Sequence, residues 1–578
     1  MDRLKIIFAF VLFIANLNQA FSQGNSTLNA TAKITMTSEE QVFIHTNTTT
    51  LLTGETLHCK LHCIYPFTGK ASAISKIAYI ELIDTNKNTV LSQKISLKNG
   101  AGQTDFFISA ALKTGNFKLI GYTQWMLSEP KAEIFQMDLI IINPFLALPE
   151  NNIDKNMDQI DISNGQREAV KNNLIALEPD KKLYSGREKA TIKIKSNAIA
   201  RGNYSISVRK VDALPLNQKF RTTTFTPVVS ENQRSRNSLK ILPELRGELL
   251  SGSVVNKSNE KNVANIAVAL SISGKSFAFK IVKTNASGKF TFVLDDNPDA
   301  SEIVLQVMEE DRNNYVIAID PAKKPDLSKI SFSSEFQLNS NLKNIIEQRS
   351  VYNQVENAYY DRKKDSITIL PKKTAFYNSV QKTYALDDYT RFPTLQETIT
   401  EVILELYTKT SKGKRSIHVR NTTLDPEIYG PPVILVDGLL IQDNNELYDY
   451  NTENIDKVDL INEPYIYGPK TFSGVVNFIT KNNDYETKAS GDYFKKLNIQ
   501  RPTPEKLYFS PDYSSSDQNS RIPDYRQQLL WMPSVDLSYD EQYVSFFTSD
   551  VLGKFEIVLE GFSEMGSPVF VKEIIEVK

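Results

Sequence analysis

Short runs of alternating apolar and polar residues dominate positions 40–145, and a period of two predicts β-strands rather than helices. The turn pairs Thr53-Gly54, Asn99-Gly100 and Thr114-Gly115 separate these runs. Such residues let the chain reverse direction between neighbouring strands. We therefore predict an antiparallel β-sandwich over residues 30–148, built from the runs VFIHTN, TLHCKLHC, KIAYIELID and NFKLIGYTQWM.

The same pattern returns after a polar, Asn- and Asp-rich interval at residues 149–165, which is typical of a linker. Two further alternating runs, KLYSGREKATIKIKSN and GNYSISVRKVDA, predict a second sandwich over residues 166–240. In the first sandwich, VFIHTNTTTLLTGETLHCKL and LKTGNFKLIGYTQWM resemble the opening and closing strand pairs of macroglobulin-type domains from large Gram-negative envelope proteins. This resemblance implies that both units are macroglobulin-like.

Residues 244–335 combine a G-x-V strand, a hydrophobic strand and the segment TNASGKFTF. Asn285 and Gly288 predict a turn that places Phe290 and Phe292 on one face of the following strand. This order of strands resembles the transthyretin-like accessory sandwich of carboxypeptidases, also called the carboxypeptidase-regulatory-like domain. The resemblance implies a module that carries no chemistry of its own.

The C-terminal part of the chain begins with an interval of low hydrophobicity at residues 483–522, which predicts a linker. Alternating runs then return with turn signals at Leu552-Gly553 and Met565-Gly566, and they predict an Ig-like sandwich over residues 523–578. The predicted fold class is mainly β and multidomain. It consists of Ig-like or macroglobulin-like β-sandwiches in series plus a small α+β domain.

Two amphipathic segments predict helices. In residues 342–361, Ile345, Ile346, Val351 and Val355 recur near one side at helical spacing, within a predicted helical connector at 336–393. The segment TLQETITEVILELY, residues 394–407, begins with a Thr followed three residues later by a Glu, which is a capping-box pattern. We predict a second helix there.

A further domain is predicted over residues 394–482. An apolar strand ends at the tight turn Asp437-Gly438, IDKVDLI alternates as a second strand, and SGVVNFITK is a third. Taken in order, these segments resemble the plug domain of TonB-dependent receptors. An unrelated small α+β domain with the same turn residues remains an alternative. The matching positions are Asp437, Gly438, Ile455, Val458, Tyr467, Gly468, Gly474, Val475, Asn477, Thr480 and Lys481.

The chain after this domain is too short for a receptor barrel. A barrel of about 22 strands of about 10 residues needs more than 200 residues, whereas fewer than 100 follow Lys481. We therefore predict a plug-like domain without a barrel. Its outer surface must then be solvated, or it must contact another domain or protein.

Composition excludes some functional classes. The chain has 67 basic and 68 acidic residues, so that no overall field attracts nucleic acid or an anionic membrane surface. Hydrophobic residues make up 41% and aromatic residues 10%, which predicts folded rather than disordered domains.

The N-terminal segment predicts export. Arg3 and Lys5 precede an apolar run, and the small residue Ser22 stands before Gln23, which is typical of a signal peptide at residues 1–22. The alternative, an uncleaved anchor, would span only about 18 Å of a hydrocarbon core about 30 Å thick. No later stretch predicts a transmembrane helix, and no Cys for a lipid anchor follows the cleavage position.

The segment HCKLHC, residues 58–63, is the sharpest candidate for chemistry. On a helix, His58 and His62 would share a face and could bind zinc, but on a strand they would stand about 13 Å apart. The alternating context favours the strand. The same spacing argues against a disulfide between Cys59 and Cys63, which we expect to point inward.

Other chemical motifs are missing from the sequence. Neither Cys lies in the G-C-x-E-Q thioester motif of macroglobulins that trap proteases, and no nucleophile elbow, H-E-x-x-H helix or P-loop occurs. We expect His45 and His418 to be structural and the basic runs at 362–365 and 412–415 to be solvated loop faces. The sequence predicts no catalytic residue, no metal site, no cofactor and no enzymatic activity.

These inferences combine into one hypothesis. The protein is a non-enzymatic binding or scaffold component of the Gram-negative cell envelope, periplasmic or associated with the outer membrane. The resemblance implies an outer-membrane protein or complex for transport, secretion or assembly as its partner, and no nucleic-acid partner is expected. The candidate interaction surface is formed by Asp437, Gly438, Tyr465, Tyr467 and Gly468.

Two alternatives remain open at this point. A surface protein that binds glycans or polymers would use exposed aromatic platforms, for which Tyr450, Tyr465 and Tyr467 are candidates. An enzyme with a site assembled across domains would bring several carboxylates or histidines into one cleft.

Overall fold

The computed structural model shows a mostly β, multidomain chain. The signal segment at 1–22 lies outside the described residues, as does most of the predicted linker at 149–165. The structure describes residues 40–128, 133–146, 153–154, 169–211, 214, 222, 242–258, 263–294, 302–332, 338–339, 342–368, 375–377, 380–420, 429–514 and 522–578.

The first sandwich packs a three-stranded sheet, order β1-β3-β6, on a five-stranded sheet, order β2-β8-β7-β4-β5. Their inward side chains form one apolar cluster, in which Leu57, Cys59 and Leu61 alternate along β3. The strands are β1 (Gln41–Thr46), β2 (Thr50–Leu52), β3 (Thr56–Ile64), β4 (Ile77–Ile83), β5 (Thr89–Ser96), β6 (Ala101–Phe107), β7 (Gly115–Tyr122) and β8 (Phe135–Ile142). The predicted sandwich within 30–148 is present.

The second sandwich joins two distant parts of the chain. Its sheets have the orders β10-β12-β34 and β11-β36-β35-β13-β33, so that each sheet contains strands from both predicted units, 166–240 and 523–578. The prediction of two separate sandwiches is therefore corrected to one, because strands of each segment pair with strands of the other in both sheets. The strands are β10 (Ile175–Pro179), β11 (Leu183–Tyr184), β12 (Lys189–Ser196), β13 (Gly202–Lys210), β33 (Gln528–Asp536), β34 (Glu541–Phe547), β35 (Gly553–Ser563) and β36 (Pro568–Val577).

The third sandwich lies within the predicted 244–335 unit but borrows one strand. Its sheets have the orders β17-β14-β19 and β16-β15-β18-β31. Phe290 and Phe292 are both buried in its core, as the turn at Asn285 and Gly288 predicted. The strands are β14 (Leu249–Asn256), β15 (Ala267–Ile272), β16 (Ala278–Lys283), β17 (Lys289–Val293), β18 (Glu302–Val307), β19 (Tyr315–Ile319) and β31 (Phe494–Asn498).

The predicted linker at 483–522 pairs with several units. Besides β31, it contains β32 (Lys506–Leu507), which pairs with β21 (Ser366–Ile367), and the Thr503 N–H donates to the Lys94 carbonyl at 2.9 Å. The linker prediction is thus corrected: this segment lies along the first and third sandwiches. A further parallel pair joins β9 (Ile153–Asp154) to β20 (Leu338–Asn339).

The remaining domain, here called the α/β unit, spans residues 382–480. Its five-stranded sheet has the order β22-β27-β30-β25-β26, and β22 comes from the predicted connector, so that the unit begins before residue 394. The elements are β22 (Lys382–Ala385), β23 (Leu406–Ser411), β24 (Lys414–Val419), β25 (Val433–Val436), β26 (Leu439–Leu440), β27 (Ile455–Ile461), β28 (Tyr465–Tyr467), β29 (Lys470–Phe472) and β30 (Val475–Thr480), with helices α2 (Leu395–Glu401) and α3 (Asn445–Tyr448), which follow α1 (Lys343–Ala358) of the connector.

Both predicted helices are present with corrections. The buried side of α1 is formed by Ile346, Arg349 and Ser350, whereas Val351 is exposed, so that the docked face is partly polar. Helix α2 has the predicted capping box between Thr394 and Glu397 but ends at Glu401. No described helix combines the length and apolarity that a membrane span requires.

Candidate functional site

The turn Asp437-Gly438 is buried inside the protein. Both residues have positive φ, and the Asp437 carboxylate accepts hydrogen bonds from the Thr480 N–H (2.7 Å), the Thr480 hydroxyl (2.6 Å) and the Tyr485 N–H (3.2 Å). This carboxylate therefore ties the β25–β26 turn to the end of β30. Its role in the structure is to hold the turn, because no side of it faces solvent.

Gly438 lies against the third sandwich. A Cβ added at Gly438 would collide with the side chain of Phe277, and the Gly274 N–H donates to the Asp437 carbonyl at 3.1 Å. The turn therefore needs glycine both for its φ of +82° and for this close approach.

The two predicted tyrosines donate hydrogen bonds to different neighbours within the chain. The Tyr465 hydroxyl donates to the Phe376 carbonyl at 3.0 Å, and the Tyr467 hydroxyl donates to the Phe279 carbonyl of β16. The Tyr467 ring also stacks on Phe279 with ring centroids 5.8 Å apart. Gly468 is exposed, although a Cβ added there would lie 2.9 Å from the carbonyl oxygen of Ile281.

These contacts place the predicted interaction surface largely inside the chain. One face of the α/β sheet and strands β15 and β16 of the third sandwich share an apolar cluster, and the Gln306 amide donates to the Leu440 carbonyl at 2.8 Å. The prediction that Asp437, Gly438, Tyr465 and Tyr467 form an outward surface is thus corrected. This face of the α/β sheet is covered by the third sandwich instead.

The tyrosines predicted as a glycan-binding platform also form contacts within the chain. Tyr465 and Tyr467 lie at the internal junction, and the Tyr450 ring packs edge-on against Tyr485 with centroids 5.4 Å apart. On β28, the exposed side chain is Ile466, with 76% of its surface accessible.

The segment HCKLHC forms part of β3, as predicted from its alternation. Cys59 and Cys63 are free thiols buried in the core of the first sandwich, and burial raises the pKa of both. His58, Lys60 and His62 lie on the opposite face of the strand. Among the described residues, no group of three or more His, Cys, Asp or Glu side chains is placed to hold a metal ion.

This second face of β3 is buried against the second sandwich. His58 stacks on Trp531 of β33 with centroids 5.6 Å apart, and the Lys60 ammonium donates to the Asn203 amide oxygen at 3.1 Å. Burial lowers the pKa of His58 to about 4 and that of His62 to about 3. Both rings are therefore neutral at pH 7 and serve as packing surface between the two sandwiches.

His45 belongs to the same junction. Its Nδ1 lies 2.6 Å from the Ser205 hydroxyl, and its Nε2 lies 3.6 Å from the Glu560 carboxylate. His418, by contrast, lies on β24 of the α/β unit, 2.7 Å from the Ser416 hydroxyl. The expectation that both histidines are held by structural partners agrees with this geometry.

A third junction joins the first and third sandwiches through buried acids. The Tyr79 hydroxyl donates to Glu244 at 3.1 Å, and Glu248 pairs with Lys94 and with Arg501 at 3.4 Å. Burial raises the pKa of Glu244 to about 7. Sequence analysis missed this group because its members come from three distant parts of the chain, residues 79–94, 244–248 and 501.

This junction gives a pH-dependent prediction for Glu244→Gln. The folded pKa exceeds the unfolded value of 4.5, so that the stability contributed by the protonated carboxyl is present below pH 4.5 and lost as pH rises to about 7. Glutamine mimics the protonated form, and we expect the variant to be more stable than the parent at pH 8 by up to roughly 3 kcal/mol. Calorimetric unfolding at pH 8 and pH 4 measures this.

The exposed Glu310→Gln serves as the control. It should leave the unfolding temperature unchanged at both pH values. An equal effect of Glu244→Gln at pH 4 and pH 8 would contradict the proposed protonation.

The hairpin β23–β24 of the α/β unit is exposed around its turn. Its two-residue turn, Lys412-Gly413, has positive φ at both positions, as in type I′ turns. Exposed cations occur along it at Lys409, Lys412, Lys414 and Arg420. The predictions that 394–407 is wholly helical and that 412–415 is a loop missed this hairpin, although Lys-Gly between the alternating runs LYTKTS and KRSIHV was its sequence signal.

One face of the hairpin combines cations and aromatic rings. Tyr407 and His418 are opposite residues whose rings stack with centroids 5.2 Å apart, and the Arg420 guanidinium lies 5.1 Å from the Tyr407 ring centre. The Lys409 ammonium lies 5.6 Å from the same ring. The hairpin can therefore present positive charge on an ordered, partly apolar surface.

No family model and no curated protein matches this sequence. Among solved structures, it is similar to the native α-2-macroglobulin of Escherichia coli, with 11% identity, 94% coverage of this chain, 40% coverage of that chain and a TM-score of 0.24. Salmonella α-2-macroglobulin reacted with methylamine gives 8% identity, 94% and 40% coverage and a TM-score of 0.23. The Escherichia coli adhesin FdeC gives 11% identity, 49% coverage of this chain, 65% coverage of that chain and a TM-score of 0.14.

The chain therefore spans about 40% of the length of the macroglobulins that it matches. The geometry of the junctions and of the hairpin, rather than these comparisons, provides the basis for a functional hypothesis.

Proposed function

We propose that this chain is an exported, non-enzymatic binding or scaffold protein of the Gram-negative cell envelope, whose α/β unit recognises an outer-membrane protein or complex. The observation that carries the proposal is the placement of this unit. One face of its sheet packs on the third sandwich through a shared apolar cluster, while the β23–β24 hairpin carries exposed cations. Such a unit can present a surface to a partner.

In this proposal the α/β unit is a plug-like domain that is used without its barrel. The order of its motif residues supports this, as does the third sandwich, which covers a sheet face that would otherwise expose Val433, Leu435 and Val475. The three sandwiches are spacers. Buried junctions between the first sandwich and the other two suit them to hold the α/β unit at a defined distance from the partner's other contacts.

Site-specific photo-crosslinking in native cells tests the proposal. A photoreactive residue replaces Lys412 or Ile466 in the α/β unit, and matched positions are Lys275 of the third sandwich and Lys113 of the first, all of which are exposed. We expect an outer-membrane protein to be captured from the α/β positions and not from the other two. Mass spectrometry of the tagged full chain identifies the product.

Capture only from Lys113 or Lys275 would contradict the α/β unit as the recognition element. Absence of any captured envelope protein from all four positions would overturn the proposed function. Deletion of 394–482 is a poorer test, because it would expose Ala267, Phe279 and Ile281 of the third sandwich.

A further inference from the structure

Strand β3 of the first sandwich lies across three neighbouring strands of the second, in the order β33, β13 and β35. His58 stacks on Trp531 of β33 with ring centroids 5.6 Å apart. The Lys60 ammonium donates to a side chain of β13, and His62 packs edge-on against Phe562 of β35 with centroids 5.6 Å apart. The three basic side chains therefore form one row between the sandwiches, about 7 Å apart along the strand.

Each imidazole of this row has one nitrogen that is buried away from water. The Nδ1 atom of His58 and the Nε2 atom of His62 form no hydrogen bond with any described residue. Both nitrogens of a protonated ring are donors, so that protonation would leave each of these N–H groups without an acceptor. A buried charged donor without a partner is costly, and water reaches it only when the sandwiches separate.

Two carboxylates that face this row already have cationic partners. Asp105 of β6 faces His58, but it pairs with Lys506 at 2.8 Å. Glu505 faces Lys60, but it pairs with Lys98 at 2.9 Å. Further titratable groups face the two rings without offering a negative charge at neutral or acidic pH: Arg209, Lys506 and Tyr508 for His58, and Lys60 for His62.

His45 is the third histidine at this junction, and its surroundings differ. Its Nε2 atom lies 3.6 Å from the Glu560 carboxylate, so that a proton on this ring would be compensated. Three of the four histidines of the chain thus contact the second sandwich, and the fourth, His418, lies on β24 of the α/β unit. An uncompensated charge on protonation is expected at His58 and His62.

The pKa values of these two rings give the direction of the effect. Burial lowers the pKa of His58 to about 4 and that of His62 to about 3, below the ordinary value of 6.5. The neutral rings therefore stabilise the closed junction fully above pH 6.5, and this contribution is lost as pH falls through the lowered pKa values. Each ring favours an open, hydrated junction about a hundredfold more at pH 4 than at pH 7.

We propose that the junction between the first and second sandwiches is an acid-sensitive switch, which opens when His58 and His62 bind protons while the first and third sandwiches stay together. Opening exposes the basic side of β3 and leaves the inward side chains Cys59 and Leu61 in the core of their own sandwich. The inference goes beyond the proposed function, because it concerns the placement of the spacers and involves no partner.

The junction between the first and third sandwiches responds to acid in the opposite sense. Its carboxyl Glu244 has one oxygen, Oε2, that is buried without a hydrogen bond to any described residue. Burial raises the pKa of this group, so that a proton removes its buried charge as the pH falls. Acid therefore stabilises this contact while it weakens the contact with the second sandwich.

Pulsed EPR distances between two spin labels on the full chain test the inference. One pair, Lys113→Cys with Lys554→Cys, spans the first and second sandwiches, and the matched pair, Lys113→Cys with Lys275→Cys, spans the first and third. All three positions are exposed, whereas the native thiols Cys59 and Cys63 are buried and stay unlabelled at pH 7. We expect the first distance to change between pH 7 and pH 4 and the second to stay constant.

The pH dependence of the open fraction counts the protons that drive opening. Between pH 6 and pH 5, the logarithm of the opening constant should rise by about two for each unit of pH in the parent chain. This slope should fall to about one in His62→Phe and in His58→Phe, because phenylalanine keeps a ring that cannot bind a proton. The control His418→Gln should keep the slope of the parent.

Three results would overturn the inference. The first is a constant distance between the first and second sandwiches down to pH 4. The second is a simultaneous change of both distances, which would show general acid unfolding. The third is an equal slope in the parent and in the two phenylalanine variants. If a variant does not fold, the parent slope still decides, because a value near zero excludes proton-driven opening.

Discussion

Replacement of Arg349 by methionine is expected to lower the free energy of unfolding by about 3–5 kcal/mol. Arg349 is buried on α1 and donates two hydrogen bonds of 2.7 Å to Glu55 and one of 3.0 Å to the Thr50 carbonyl. Burial alone would raise the pKa of Glu55, but the guanidinium groups of Arg349 and Arg209 lower it. Without Arg349, the cationic partner that Glu55 keeps among the described residues is Arg209, at 3.6 Å.

Urea denaturation followed by Trp531 fluorescence measures this effect, because Trp531 lies where the first and second sandwiches meet. Trp125, the other tryptophan of the chain, is replaced by phenylalanine in all samples so that the signal comes from Trp531 alone. The control Lys343→Met removes a surface pair on the same helix and should cost less than about 0.5 kcal/mol.

A second change tests the cause of the loss. Glu55→Gln in the Arg349→Met background removes the carboxylate charge and should recover most of the stability. If Arg349→Met and Lys343→Met cost the same, the buried ion pair does not hold α1 to the first sandwich.

Replacement of Gly438 by alanine is expected to destabilise the interface between the α/β unit and the third sandwich. The positive φ costs about 1–2 kcal/mol for a residue with a Cβ. The collision with Phe277 adds about 1–3 kcal/mol, because a packed interface has no room for the extra atom. Calorimetric unfolding measures the sum.

Gly413→Ala is the matched control for this prediction. Gly413 also has positive φ, but a Cβ there would meet no atom within 4 Å, so that only the conformational cost applies. In a Phe277→Gly background, which removes the Phe277 Cβ as well as the ring, Gly438→Ala should cost no more than Gly413→Ala. Equal costs of the two glycine changes in the unmodified background would show that the contact with Phe277 does not stabilise the interface.

The hairpin and helix α2 show which features of local structure can be predicted from neighbouring residues and which cannot. The capping box of Thr394 and Glu397 predicted where α2 begins, since the signal lies within three residues. The end of α2 at Glu401 could not be predicted from periodicity, because Leu406 continues a helical spacing while it also begins a strand. The pairing of β23 with β24 decides between the two, and it depends on contacts across the Lys412-Gly413 turn.

The sequence by itself determined which side chains share a strand face: Leu57, Cys59 and Leu61 inward, His58 and Lys60 on the other side. It also determined the turn at Asp437-Gly438. The tertiary structure alone decided what covers each face. The polar face of β3 meets the second sandwich instead of water, and β13 and β35 close one sheet although more than 340 residues separate them along the chain. The physical reason is that the period of two determines to which face of a strand each side chain points. What covers that face depends instead on the burial of apolar area and on hydrogen bonds between segments that are distant in sequence.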